Sequence, residues 1–281
     1  MKNKMIQQEF MTLKKVIEAK DEIDTEIIFS TINMVAGLNL ETIIFRDKKS
    51  WENYFGISMN LTKSLLKANE HCRKYSKEEK RFLKEYRKKC IKDKNVNTFL
   101  ATDCVGLNTE IDGFLSQIKA SLDTVATSFG PLLGLGLKNW HKKSGKSGGE
   151  IISALENNLS DEYKERANVL KEVIIRNTEW ITYIVTLRDQ AHHKGGLKCL
   201  TDITYDFRYK KVKPQYIMHE NDAGEMVNDF MLRTMRDVAR FINEVLILSI
   251  LIKAPNGMGI KRNEKGEYPP FNWVVFNAQE K

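Results

Sequence analysis

The chain has 281 residues, 42% hydrophobic and 29% charged, enough to bury a substantial core as one large domain or two small ones. Five prolines and few glycine clusters disfavour an all-β fold, and a formal charge of +8 makes a polyanion a sensible partner. The longest apolar run, Val245 to Ile252, is far shorter than the roughly 18 to 20 residues of a bilayer span, and the charged, amphipathic N-terminus does not read as a signal peptide. Cys72, Cys90, Cys104 and Cys199 fit neither a disulfide framework nor a CxxC metal spacing. The expectation is a cytoplasmic protein with reduced thiols and no membrane association.

In chain order, Ile6, Phe10, Leu13, Val16 and Ile17, then Ile27, Ile28, Ile32 and Val35, predict a first helix over 5–36 with Gly37 as its stop. Residues 47–50 read as a turn, and 51–67 as a second helix broken near Gly56. Ser76 with Glu79 reads as a capping box that opens a short basic helix up to about Lys92. The polar stretch 93–97 is a candidate linker. From Phe99 to Phe129, the residues Ile111, Phe114, Leu115, Ile118, Leu122, Val125 and Phe129 make one helical stripe, with Glu110, Gln117 and Asp123 near its margins. Gly130 and Pro131 are expected to end it.

Residues 132–149 read as a basic loop. Gly145-Lys146-Ser147 resembles part of a phosphate-binding loop, but the glycine required five residues earlier is Trp140, and no hydrophobic strand precedes it. A short helix follows over 151–159. Ser160 then caps a long helix running to about Lys194, with Leu170, Val173, Ile174, Ile181, Ile184, Leu187 and Ala191 as its buried stripe and Gly195-Gly196 as its stop. Alternation at Ile203, Tyr205 and Phe207 predicts a small β excursion within 201–218. A last helix over 225–252 turns Phe230, Val238, Phe241, Ile242, Val245 and Leu248 inward, and an extended tail follows. The division expected is a helical region over 1–95, basic in its second half, a bundle over 96–254 and a tail over 255–281.

Two features stand out chemically. Between Lys67 and Lys94 twelve Lys and Arg face five Asp and Glu, a local excess of +7; the plain alternative to a polyanion site is a solvated helical face. The second is the stretch Arg188-Asp189-Gln190-Ala191-His192-His193. Arg188 lies seven residues after Ile181 and four after Ile184, at the edge of the core-facing stripe. A guanidinium there needs carboxylates or an anion as partners. His192, four residues on, stands almost above it, while His193 is rotated away on an ideal helix. Both titrate near neutral pH at the negative end of the helix dipole, so the group can hold a phosphate or move a proton. The plain alternative is a helix C-cap with a surface ion pair. A metal site is disfavoured because adjacent histidines point to different sides of a helix.

This stretch resembles the Arg-polar-x-x-x-His signature of the HEPN domains (higher eukaryotes and prokaryotes nucleotide-binding). Arg188 matches the arginine, Asp189 the polar residue and His193 the histidine, with His192 as an alternative. The helix carrying Glu110, Phe114 and Asp123 is similar to the paired acidic helix of bacterial branches, and the likeness covers about residues 97–253. The resemblance implies an all-α bundle of HEPN type that dimerises to form one composite site and cleaves RNA without metal or cofactor, as a toxin or antiphage defence factor. Carried over, His193 or His192 would transfer protons at the 2′-hydroxyl or the leaving 5′-oxygen. Arg188 would stabilise the phosphate charge, and Asp189 would orient Arg188 or the substrate. Lys80, Arg81, Lys84, Arg87, Lys88 and Lys194 would give backbone affinity for RNA. No fused antitoxin segment is evident, which leaves room for a separate antitoxin protein. The rivals are a non-catalytic HEPN-like scaffold that binds a nucleotide or a protein, and a helical nucleic-acid-binding protein acting through its basic N-terminal part.

Overall fold

The computed structural model describes residues 44–92, 104–140, 142–143, 146–193, 197, 199–206, 208–218 and 224–254, with the backbone alone at 92, 142, 143, 146 and 193. Among these the chain is all-α with a small β excursion. The helices are α1 (Lys48–Lys92), α2 (Val105–Leu133), α3 (Gly149–Asn157), α4 (Asp161–His193) and α5 (Val227–Lys253). Six short strands pair antiparallel in twos: β1 (Lys142–Lys143) with β2 (Lys146–Ser147), β3 (Thr204–Asp206) with β4 (Lys211–Lys213), and β5 (Tyr216–Ile217) with β6 (Glu225–Met226). No helix among the described residues is long and apolar enough to cross a membrane. The expected first helix, the 93–97 linker, the Gly195-Gly196 stop and the C-terminal tail lie outside the described residues.

α1 departs from expectation. The turn expected at 47–50 is a helix start, because the Asp47 carboxylate accepts the Ser50 backbone N–H at 2.7 Å and so caps the first turn. The helix then runs without a break through Gly56 and Ser76 for 45 residues. One helical glycine costs only about 1 kcal/mol, and burial of Tyr54, Leu61, Leu65, Ala68 and Cys72 on either side outweighs it. Ser76 and Glu79 form no capping box: the Ser76 hydroxyl donates to the Asn228 side chain, and Glu79 accepts from Tyr75.

α2 keeps its stripe; Ile111, Phe114, Leu115, Ile118, Leu122, Val125 and Phe129 are fully buried. It does not stop at Gly130 and Pro131. Pro131 sits inside the last turn, and the helix ends at Gly134, whose φ of 74° suits a residue without Cβ. The N–H groups of Gly134 and Leu135 reach back to the carbonyls of Gly130 and Phe129 at 2.9 and 3.1 Å. α4 begins where Ser160 offers its carbonyl to the N–H groups of Tyr163 and Lys164. Its stripe is buried as expected except at Ala191, which is half-exposed.

The described residues form two compact units, neither of them one continuous stretch. The first draws on residues up to Leu66, on Ala120–Ile181 and on Val238 onward; the second on Lys67–Lys119 and Thr182–Asp237. In the first unit Trp140 is fully buried, edge-on to Phe241 with centroids 5.5 Å apart, and Trp180 meets the same ring at 5.8 Å. The Trp140 backbone N–H donates to Asp123 at 2.7 Å. Gly148, with φ of 82°, leaves room for the indole, which a Cβ would approach to 3.0 Å. Arg166 closes the end of α5 by donating to the carbonyls of Ile252 and Ala254. The candidate site belongs to the second unit.

Candidate functional site

The second unit holds both the Arg188 stretch and the basic half of α1. Arg188, on the penultimate turn of α4, is half-buried, and its Nη1 donates to the neighbouring Asp189 carboxylate at 3.0 Å. Its Nε is buried and has no hydrogen-bond partner among the described residues. A buried donor without an acceptor costs about 1–3 kcal/mol, more when charged. An incoming anion would relieve that cost.

His192, one turn further, is exposed, with its Nε2 2.6 Å from the Ser116 hydroxyl on α2. Ser116 spends its own proton on the Asp112 carbonyl at 2.7 Å. With that proton so used, Ser116 accepts from the His192 Nε2–H. Burial raises the Asp112 carboxyl above its ordinary range, and the charge of His192 opposes that rise. His193 is the last helical residue of α4. Lys194 lies outside the described residues.

Sequence reasoning missed a second pair. His71 on α1 lies 2.6 Å through Nδ1 from Glu110 on α2, and its ring rests on the backbone at Gly113. A Cβ at Gly113 would come within 2.4 Å of that ring, so only glycine allows the approach. An isolated glycine inside a helical pattern was the available signal. Glu110 is thus held by His71, and Asp123 belongs to the first unit and holds Trp140.

The same unit also holds a buried polar chain. Tyr75 and Gln215 are almost wholly enclosed, and Glu79 is 8% exposed. The Tyr75 oxygen is 3.1 Å from Glu79 and 3.3 Å from Gln215, whose amide donates to Asn108 at 3.2 Å. Burial pushes the Glu79 carboxyl up, with Asp229 adding to the rise, and it pushes the Tyr75 phenol far up. The Tyr75 hydroxyl donates to Glu79, with the Gln215 side-chain oxygen within reach of the same proton.

Lys80, Arg81, Lys84, Arg87 and Lys88 are all exposed on α1, with Arg81 paired to Glu78 at 2.5 Å. Among the described residues no three His, Cys, Asp or Glu side chains converge as a metal cage. Chemically the site offers a half-buried guanidinium, an imidazole hydrogen-bonded to Ser116 and a field of exposed cations. Comparison with protein-family models, curated proteins and solved structures gives no match.

Proposed function

We propose that the protein is a metal-independent endoribonuclease of HEPN type, acting in the cytoplasm as a homodimer in toxin or antiphage defence, with a separate antitoxin as its regulator. The observation that carries this reading is the buried Nε of Arg188, without a hydrogen-bond partner among the described residues, four residues before His192. Arg188 offers donors to a phosphate, and the imidazole takes the 2′-hydroxyl proton as that oxygen attacks phosphorus. The P–O5′ bond breaks, the 5′-oxygen takes up a proton, and a 2′,3′-cyclic phosphate remains. Two motifs brought together by dimerisation divide the acid and base roles, and either His192 or His193 serves as the base in each.

The rival scaffold reading draws on the ion pair of Arg188 with Asp189 and the bond of His192 to Ser116, both of which suit a structural latch. One assay separates them. Wild type, Arg188→Ala, His192→Ala and His193→Ala are incubated with structured and unstructured RNA in EDTA, with folding checked by circular dichroism. Arg188→Ala and one histidine variant are expected to lose about 100-fold or more in rate. Wild type that leaves every RNA intact, or variants that cut as well as it does, would overturn the ribonuclease reading.

A further inference from the structure

A shallow groove of about 560 Å³ in the second unit runs between the last turns of α1 and strand β4. Its floor is aliphatic: Leu83, Ile91 and Val212. Its rim is cationic: Lys84, Arg87, Lys88 and Lys211, with no acidic residue among them. Ile91 is left 55% exposed. At the tip of the β3–β4 hairpin, two residues before Lys211, Tyr209 is 66% exposed. It is presented by a preformed turn, since the Asp206 carboxylate accepts the N–H groups of Arg208 and Tyr209 at 3.0 and 3.2 Å, and Lys210 adopts a φ of 52°.

We propose that this groove is a docking surface for single-stranded RNA, with phosphates on the rim cations and bases on the aliphatic floor and the Tyr209 ring. Charge complementarity calls for a polyanion. The apolar floor calls for one that also shows unpaired flat faces, because a duplex keeps its bases stacked inside and would leave the floor wet. Lys84, Lys88 and Ile91 follow each other at helical spacing along about 10 Å of α1, a track for an extended strand. The inference rests on the second unit facing RNA, as in the ribonuclease reading, but not on cleavage.

The test uses the full-length protein carrying Arg188→Ala, so that bound RNA stays intact. It is titrated in EDTA with a short labelled unstructured RNA, with the same RNA annealed to its complement, and with phosphatidylserine vesicles. The single strand should bind more tightly than the duplex or the vesicles. Tyr209→Ala and Ile91→Ser, both at exposed positions, should each weaken single-strand binding about fivefold or more and duplex binding less than about twofold. Lys211→Ala should lower the salt dependence of single-strand binding by about 0.7 in logarithmic slope. Equal or tighter duplex binding, vesicle binding in preference to RNA, or unchanged affinity in the Tyr209 and Ile91 variants would each overturn the groove. Single-strand binding with these sensitivities, in a protein whose wild type cuts no RNA, would keep the groove and overturn the ribonuclease. Cleavage by the wild type, alongside unchanged affinity when Tyr209→Ala and Ile91→Ser are introduced, would do the reverse.

Discussion

The two compact units differ in what they do with polar side chains. In the first, the prominent polar contacts finish a framework: Asp123 receives the Trp140 backbone, and Arg166 closes the end of α5. In the second, polar and ionisable groups meet side chain to side chain, as in His71 with Glu110, Ser116 with His192, and Tyr75 with Glu79 and Gln215. Its core is apolar too, as the burial of Phe114, Leu187 and Phe230 shows. Enclosing so many titratable groups is costly unless each is paired, and the second unit accepts that cost where the candidate chemistry lies. What sets the second unit apart is the enclosed chain of Tyr75, Glu79 and Gln215; side-chain pairs of the first, such as Lys171 with Glu156 and Arg176 with Glu244, stay part-exposed.

Substitutions can break this contrast or sharpen it. The largest stability effect is expected in the first unit, where Trp140→Ala would empty the space beside Phe241 and cost about 3–5 kcal/mol by urea unfolding. A loss under about 1 kcal/mol would mean that the first unit is not organised around that ring. In the second unit, Gly113→Ala forces a methyl against the His71 ring and is expected to cost about 1–3 kcal/mol. His71→Ala in the same chain should recover much of that loss; if it recovers none, the close approach is not the reason for the glycine. The smallest effect is expected for Glu79→Gln, under about 1.5 kcal/mol near neutral pH. Glu79 and Asp112 have folded values above their unfolded ones, so the stability each contributes is present below pH of about 4 and is lost as pH rises through the folded value. The variant should therefore lose less stability than wild type between acidic and neutral pH. A steeper loss would contradict a carboxyl raised by burial.

Where burial follows helical periodicity, the sequence was readable. The stripes of α2 and α5, and that of α4 except at Ala191, fall as the spacing of Ile, Leu, Val and Phe requires. The continuity of α1 was not legible, because Gly56 and the Ser76–Glu79 spacing are genuine local signals that tertiary burial overrides. Ser76 looks like a cap until Asn228, 152 residues away, claims its hydroxyl. Arg188 at the edge of the core and the exposed cations at Lys80, Lys84, Arg87 and Lys88 could be read from spacing. Ser116 and Asp112 could not, since nothing local tells that a serine on α2 meets a histidine 76 positions later. The partner of Asp123 was not legible either: Trp140 is set by a loop with no periodicity to read.

The bonds that complete the second unit also set an order of events. Tyr75 meets Gln215 across 140 residues and Ser76 meets Asn228 across 152, whereas helical contacts close within four. The loop-closure entropy of these meetings must be met before any bond returns it. During synthesis α1 can coil and bury part of its stripe, but Tyr75 lacks Gln215 and Ser76 lacks Asn228 until the start of α5 has left the ribosome. Until then the basic helix carries an exposed apolar face and two unmatched polar groups, the kind of intermediate that aggregates or engages chaperones. The polar chain that makes the finished unit distinctive is thus also what makes its nascent form vulnerable.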